Sequence, residues 1–114
     1  MKKLALVVDD TPYIREDIKD ILEEMGYEVY EANDGLEALR MYKKIKPTVV
    51  TMDINMPNMH GLAATKEISN YDKNAKILIC STMVMFPNYQ KMGREAGAKS
   101  FLSKPFTDEE FVEA

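Results

Sequence analysis

Two observations predict an α/β fold with a parallel sheet in the strand order 2-1-3-4-5 and helices on both faces. Short apolar runs alternate with helix-period segments five times along 114 residues. Two of those runs, Leu4–Val8 and Val49–Met52, stop at carboxylates followed by turn residues, as buried strands do where they emerge at the ligand-binding edge of an open sheet.

The elements follow in order. Leu4 to Val8 is a continuous apolar run and ends in Asp9-Asp10. Thr11 suits an N-cap and Pro12 the first helical position. Ile14, Ile18, Ile21, Leu22 and Met25 recur at helical spacing, and Gly26 suits a left-handed C-terminal stop. Glu28 to Ala32 has charged ends and fits an edge strand. Asn33-Asp34-Gly35 is a turn, and Leu36 to Ile45 is a helix closed off before Pro47. Val49 to Met52 is the central strand, and Asp53 leads into a turn built from Asn55, Pro57, Asn58 and Gly61.

Leu62 to Asn70 is a third helix, with Ala64, Thr65, Ile68 and Tyr71 on one face. Lys76 to Cys80 is a fourth strand, and a loop containing Pro87 leads to a helix from about Asn88 to Ala96. Gly93 inside that helix costs about 1 kcal/mol relative to Ala, so this element is expected to open most easily. Ser100 to Leu102 is the fifth strand. Thr107 and Glu110 have capping-box spacing, and Phe106 and Phe111 stand at staple positions. Seven residues, Asp108 to Ala114, are few for a sheet-covering helix, so the last helix is expected to be truncated, the natural chain continuing past Ala114. The strand order is that of flavodoxin-like domains.

Composition narrows the function. The chain is 46% hydrophobic and 30% charged, which fits one globular domain over residues 1–114. A net charge of −4 offers no basic patch for direct nucleic-acid binding. One cysteine allows no internal disulfide framework, and no apolar run has membrane-spanning length. The start lacks a signal-peptide pattern, so a cytoplasmic location is expected.

In such a sheet all strands end at one edge. Asp9, Asp10, Asp53, Ser81, Thr82 and Lys104 converge there. Close carboxylates do not all ionise without a counter-charge, and a hard divalent cation, Mg²⁺ first, answers that need. Hydroxyl, ammonium and cation together form a cradle for a phosphoryl group on a carboxylate, an acyl phosphate. Each residue also has a plainer reading: Asp9-Asp10 as a helix-start acid pair, Lys104 as a surface lysine, Phe101 as core, His60 as a loop residue, Cys80 as a small buried hydrophobe.

The whole chain resembles the CheY-like response-regulator receiver domains of bacterial two-component signalling. The resemblance rests on Val8-Asp9-Asp10, Met52-Asp53-Ile54-Asn55-Met56-Pro57 with Gly61, Cys80-Ser81, Ala96-Gly97-Ala98 and Lys104-Pro105-Phe106. It implies Asp53 as phosphoacceptor, with a sensor histidine kinase or phosphotransfer protein as donor. It implies Asp10 as a direct Mg²⁺ ligand, Asp9 acting through water, and Asn55 giving a backbone carbonyl. It further implies Ser81 as the switch hydroxyl, Phe101 as an aromatic rotamer switch, and Lys104 as the ion-pairing lysine.

The switch hydroxyl is ambiguous by one position. Counting forward from Asp53 favours Ser81, and counting back from Lys104 favours Thr82, because the segment from Ser81 to Gly97 is one residue longer than the pattern expects. If Ser81 is the switch, Thr82 holds a place usually taken by Ala or Gly.

The resemblance implies a signalling switch rather than an enzyme. The rivals are a binding module that no longer takes phosphate and a haloacid-dehalogenase-like phosphatase. The second needs an acid two positions after Asp53, where this chain has Asn55, and the first is opposed by the intact Asp10, Asp53 and Lys104. A downstream effector or output domain is expected on the face of the fourth helix, fifth strand and fifth helix, and Met85, Phe86 or Tyr89 is expected to be partly exposed and to form a partner or homodimer contact.

Overall fold

The computed structural model describes residues 3–54, 56, 59–104 and 106–114, Met85 by its backbone alone. Asn55, Pro57, Asn58 and Pro105, and the side chain of Met85, all named in the sequence analysis, lie outside the described residues.

The elements are β1 (Lys3–Val8), α1 (Pro12–Glu24), β2 (Tyr27–Ala32), α2 (Gly35–Ile45), β3 (Val49–Met52), α3 (Gly61–Tyr71), β4 (Ile77–Ser81), a 3₁₀ turn (Thr82–Met85), α4 (Pro87–Ala96), β5 (Ser100–Ser103) and α5 (Asp108–Glu113). All strand pairs are parallel, in the order β2-β1-β3-β4-β5. The edge position expected for the charged second strand is the one it takes.

Alternation along each strand divides the apolar residues between two cores. Leu6, Val8, Val50, Met52, Ile77 and Ile79 face one way, onto Ala38 and Tyr42 of α2, Ala64 and Ile68 of α3, and Val84. Ala5, Val7, Leu78 and Cys80 face the other, onto Ile18, Ile21 and Leu22 of α1 and Phe111 of α5. Burying each large aliphatic side chain contributes roughly 2 kcal/mol, so the central strands are the most firmly held part of the fold.

Several local expectations need correction. Thr11 stands at the N-cap of α1 but makes no side-chain cap bond; its own amide is instead taken by Asp9 Oδ1 at 2.9 Å. Tyr71 shares the α3 face of Ala64, Thr65 and Ile68 to the extent of setting its ring edge-on against Tyr42, but as the last residue of the helix it is exposed where they are buried. β4 runs one residue further than expected, to Ser81, which pairs with Ser103. The residues before Pro87 form a 3₁₀ turn rather than an open loop. The capping box and the Phe106–Phe111 staple of α5 are both present.

Gly93 is also more than a weak point. It is the only buried residue of α4, and a Cβ there would come 2.5 Å from Phe101 Cε1 and 3.0 Å from Ile79 Cδ1. The glycine is what lets α4 lie close on β4 and β5. Gly93→Ala is therefore expected to destabilise the protein by about 1–2 kcal/mol, crowding outweighing the better helix propensity. Urea denaturation checks this; a gain of about 1 kcal/mol would show that the space is open.

Candidate functional site

Strand register builds the site. Val8 pairs with both Ala32 and Met52. The next residues, Asp9 and Asp53, continue the ladder through Asp9 N–H to Ala32 O at 3.2 Å and Asp53 N–H to Val8 O at 3.0 Å. Two acids thus stand side by side at the ends of adjacent strands. Asp9 is 1% exposed and Asp53 9%; Asp10, one residue on, is exposed. One carboxylate oxygen from each of the three lies within 4.8 Å of the others.

Lys104 follows β5, with its amide donating to Ser81 O at 3.2 Å. In the strand order its side chain must cross the ends of β4 and β3 to reach β1, a span that suits a long unbranched stem. Nζ donates to Asp9 Oδ2 at 2.6 Å and lies 3.6 Å from Asp53 Oδ1. Asp53 Oδ1 also accepts from the Ile54 amide at 2.8 Å.

Burial pushes the Asp53 carboxyl up from its ordinary value, and the negative charges of Asp9 and Asp10 add to this; Lys104 and the Ile54 amide oppose them, leaving it at about 6. At neutral pH Asp53 is a carboxylate held against its environment. For Lys104, burial acts to lower the pKa, but the bond to Asp9 and the charges of Asp53 and Asp9 outweigh it and hold the ammonium above the ordinary lysine value.

The donor set fits a hard divalent cation: three carboxylate oxygens, with one ammonium to offset them. No thiolate competes, since Cys80 is buried in the opposite core and burial pushes its thiol up to about 12.

The structure brings Asp9, Asp10, Asp53 and Lys104 together, as the sequence expected. Ser81 ends β4 beside them, 2% exposed, its Oγ accepting from the Met83 amide at 3.1 Å. Thr82 is exposed, one step past the strand. With Lys104 it borders a groove of about 530 Å³ running between α1 and Phe106. Phe101 is not in the acid cluster; it is half-buried against α4, with Arg94 5.6 Å above its ring. His60 caps α3, Nδ1 accepting from the Leu62 amide. Asn55 lies outside the described residues.

Arg15 was not singled out in the sequence, yet its Nη1 donates to the backbone carbonyl of Asp9 at 2.6 Å. The available signal was a cation in the first turn of a helix, where the dipole disfavours one.

The raised Asp53 pKa sets a pH dependence. Between about 4 and 6 the native state holds a proton that the unfolded chain has already released, so stability contributed by this group rises as pH falls through that window and is flat below it. Asp53→Asn is expected to stabilise the cation-free protein by about 2 kcal/mol at pH 7, and by progressively less toward pH 4. Thermal melts at both pH values test this; equal effects at both would refute it.

Comparison with known proteins agrees with the geometry. Residues 5–114 match the family model of the response regulator receiver domain. The chain is 49% identical to the chemotaxis protein CheY of Thermotoga maritima, over all of this chain and 95% of that protein. It is 45% identical to CheY of Bacillus subtilis, with the same two coverages. The structure of Vibrio cholerae CheY4 superposes with a TM-score of 0.91 at 33% identity, covering 99% of this chain and 95% of that one. CheY in the CheX-CheY-BeF3-Mg complex of Borrelia burgdorferi superposes with a TM-score of 0.92 at 30% identity, covering 97% and 84%.

Proposed function

The chain belongs to the response-regulator receiver family, as a phosphorylatable domain of the CheY type, and from that premise we propose that Asp53 is its phosphoacceptor. The observation that carries this is the clustering of three carboxylates around one lysine at the carboxyl edge of the sheet.

Asp53 is ionised at neutral pH and held in place by the Ile54 amide. A carboxylate oxygen attacks phosphorus; the new O–P bond forms as the donor's bond to phosphorus breaks, and the donor's leaving group departs with that electron pair. A phosphohistidine on a sensor kinase or phosphotransfer protein is the donor class. Asp9, Asp10 and Asp53 would hold Mg²⁺, and the family resemblance adds the carbonyl of Asn55, which lies outside the described residues. When bound, the ion supplies positive charge against the carboxylates and the incoming phosphoryl oxygens. The Borrelia complex, which contains both Mg²⁺ and BeF3, supports Mg²⁺ as the cation.

Lys104 rests on Asp9 at 2.6 Å and is within a small movement of Asp53. It would pair with the phosphoryl group, whose charge exceeds that of the carboxylate it replaces.

Ser81 is the better switch hydroxyl. It pairs in β4 with Ser103, and its carbonyl accepts the Lys104 amide. Beyond it the chain leaves the sheet in the 3₁₀ turn that starts at Thr82. Thr82, exposed and bordering the groove with Lys104, would then be the side chain that water passes on its way to phosphorus. The α4, β5 and α5 face is the proposed contact for a downstream partner, and Phe86, 52% exposed at the entry of α4, and Met92 within it are exposed apolar side chains of that helix region.

Mg²⁺ with acetyl phosphate is expected to add one phosphoryl group by intact mass, and none in Asp53→Asn; uptake by that variant would sink the assignment. Once phosphorylated, Thr82→Ala is expected to lose the group several-fold faster and Ser81→Ala to lose the conformational response. Phosphoryl decay and amide chemical shifts read the two, and the reverse pattern would make Thr82 the switch.

A further inference from the structure

Arg15 stands in the first turn of α1, where the helix dipole opposes a cation, yet its side chain is only 17% exposed. It is held there from two sides. Nη1 donates to the Asp9 carbonyl at 2.6 Å, and Nε donates to Glu31 Oε1 at 3.3 Å, near the end of the edge strand β2. Lys19 sits 3.9 Å from the other Glu31 oxygen.

The Asp9 carbonyl is part of the planar peptide that joins Asp9 to Asp10. Its direction sets the direction in which Asp10 leaves the strand. Asp9 has other holds: its amide on Ala32, its Oδ1 on the Thr11 amide, its Oδ2 on Lys104. Asp10 is exposed, and among the described residues nothing bonds its carboxylate. Its aim depends on the peptide that Arg15 grips.

We propose that Arg15 is a positioning residue for the cation site, fixing the Asp9–Asp10 peptide so that the Asp10 carboxylate faces Asp53. The proposal rests on the cation reading above. It differs in sign from a charge effect. Removing a positive charge near a dication site strengthens binding by Coulomb's law; loosening the peptide weakens it.

The test is Mg²⁺ titration by calorimetry at fixed ionic strength, without phosphodonor. Arg15→Gln is expected to weaken Mg²⁺ about tenfold, the usual effect of losing a group that orients a metal ligand. Arg15→Lys is expected to stay within about threefold of wild type, because one ammonium reaches the Asp9 carbonyl even without the fork that spans to Glu31. Glu31→Gln is expected to change binding less than about twofold, as an exposed pair contributes little. Arg15→Met, which keeps the apolar stem, gives the same reading if the glutamine variant does not fold. Unchanged or tighter Mg²⁺ binding in Arg15→Gln, or an equal loss in Arg15→Lys, overturns the proposal and leaves the cation reading standing. Absence of Mg²⁺ binding in the wild type overturns both.

Discussion

Like charges held close together are the constraint on which the rest of this structure depends. Asp9 and Asp53 end adjacent parallel strands, and the ladder bonds that continue past Val8 and Met52 leave neither free to move away. With Asp10 they place three carboxylate oxygens within 4.8 Å. At an effective dielectric near 20, each such repulsion is about 3–4 kcal/mol, a large share of the roughly 5–15 kcal/mol by which a domain is stable. The surroundings are arranged to offset it. Lys104 crosses two strand ends to reach Asp9, and the amides of Thr11 and Ile54 donate to carboxylate oxygens of Asp9 and Asp53.

The scaffold can carry this strain because it is anchored elsewhere. Both faces of the central strands are covered, and the two cores share no residues. Close backbone approaches tie the helices to the site. A side chain on Gly61 would collide with the Asp53 carbonyl, and one on Gly35 with the Met59 carbonyl. These glycines are needed for space, at positions with ordinary φ. Gly97 is different: it ends α4 at φ 113°, and also lies against Ser69.

The parts of this legible in the sequence were those that repeat or stand together. Strand period, helix period and turn residues gave the order of elements and the sheet. The acids and Lys104 were legible because every strand of a parallel sheet ends at the same edge. What escaped were long-range matters with no local mark. Gly93 looks like a defect in a helix until Phe101, which arrives from β5, is known to occupy the missing Cβ space. Tyr71 fits the apolar face of α3 by spacing, but its place at the last turn leaves it in solvent. The choice between Ser81 and Thr82 turned on counting along the chain from Asp53 or from Lys104, whereas the register across β4 and β5, which sets Ser81 opposite Ser103, has no local mark in the sequence.

That register also links the site to the rest of the molecule. Ser81 Oγ is the N-cap of the 3₁₀ turn, accepting the Met83 amide. On the proposed reading, the same oxygen is the donor that faces a phosphoryl group on Asp53. A hydroxyl can accept and donate at once, but only where both partners suit one position of Oγ. As Oγ is drawn toward Asp53, the cap bond lengthens. The turn it holds is joined to α4 through Gln90 Nε2 on the Val84 carbonyl at 2.7 Å. The helix that follows has no side-chain cap and buries only Gly93. On that reading the displacement would pass along the 3₁₀ turn into α4, and Phe86 and Met92, exposed at the entry of that helix and on it, would move with it.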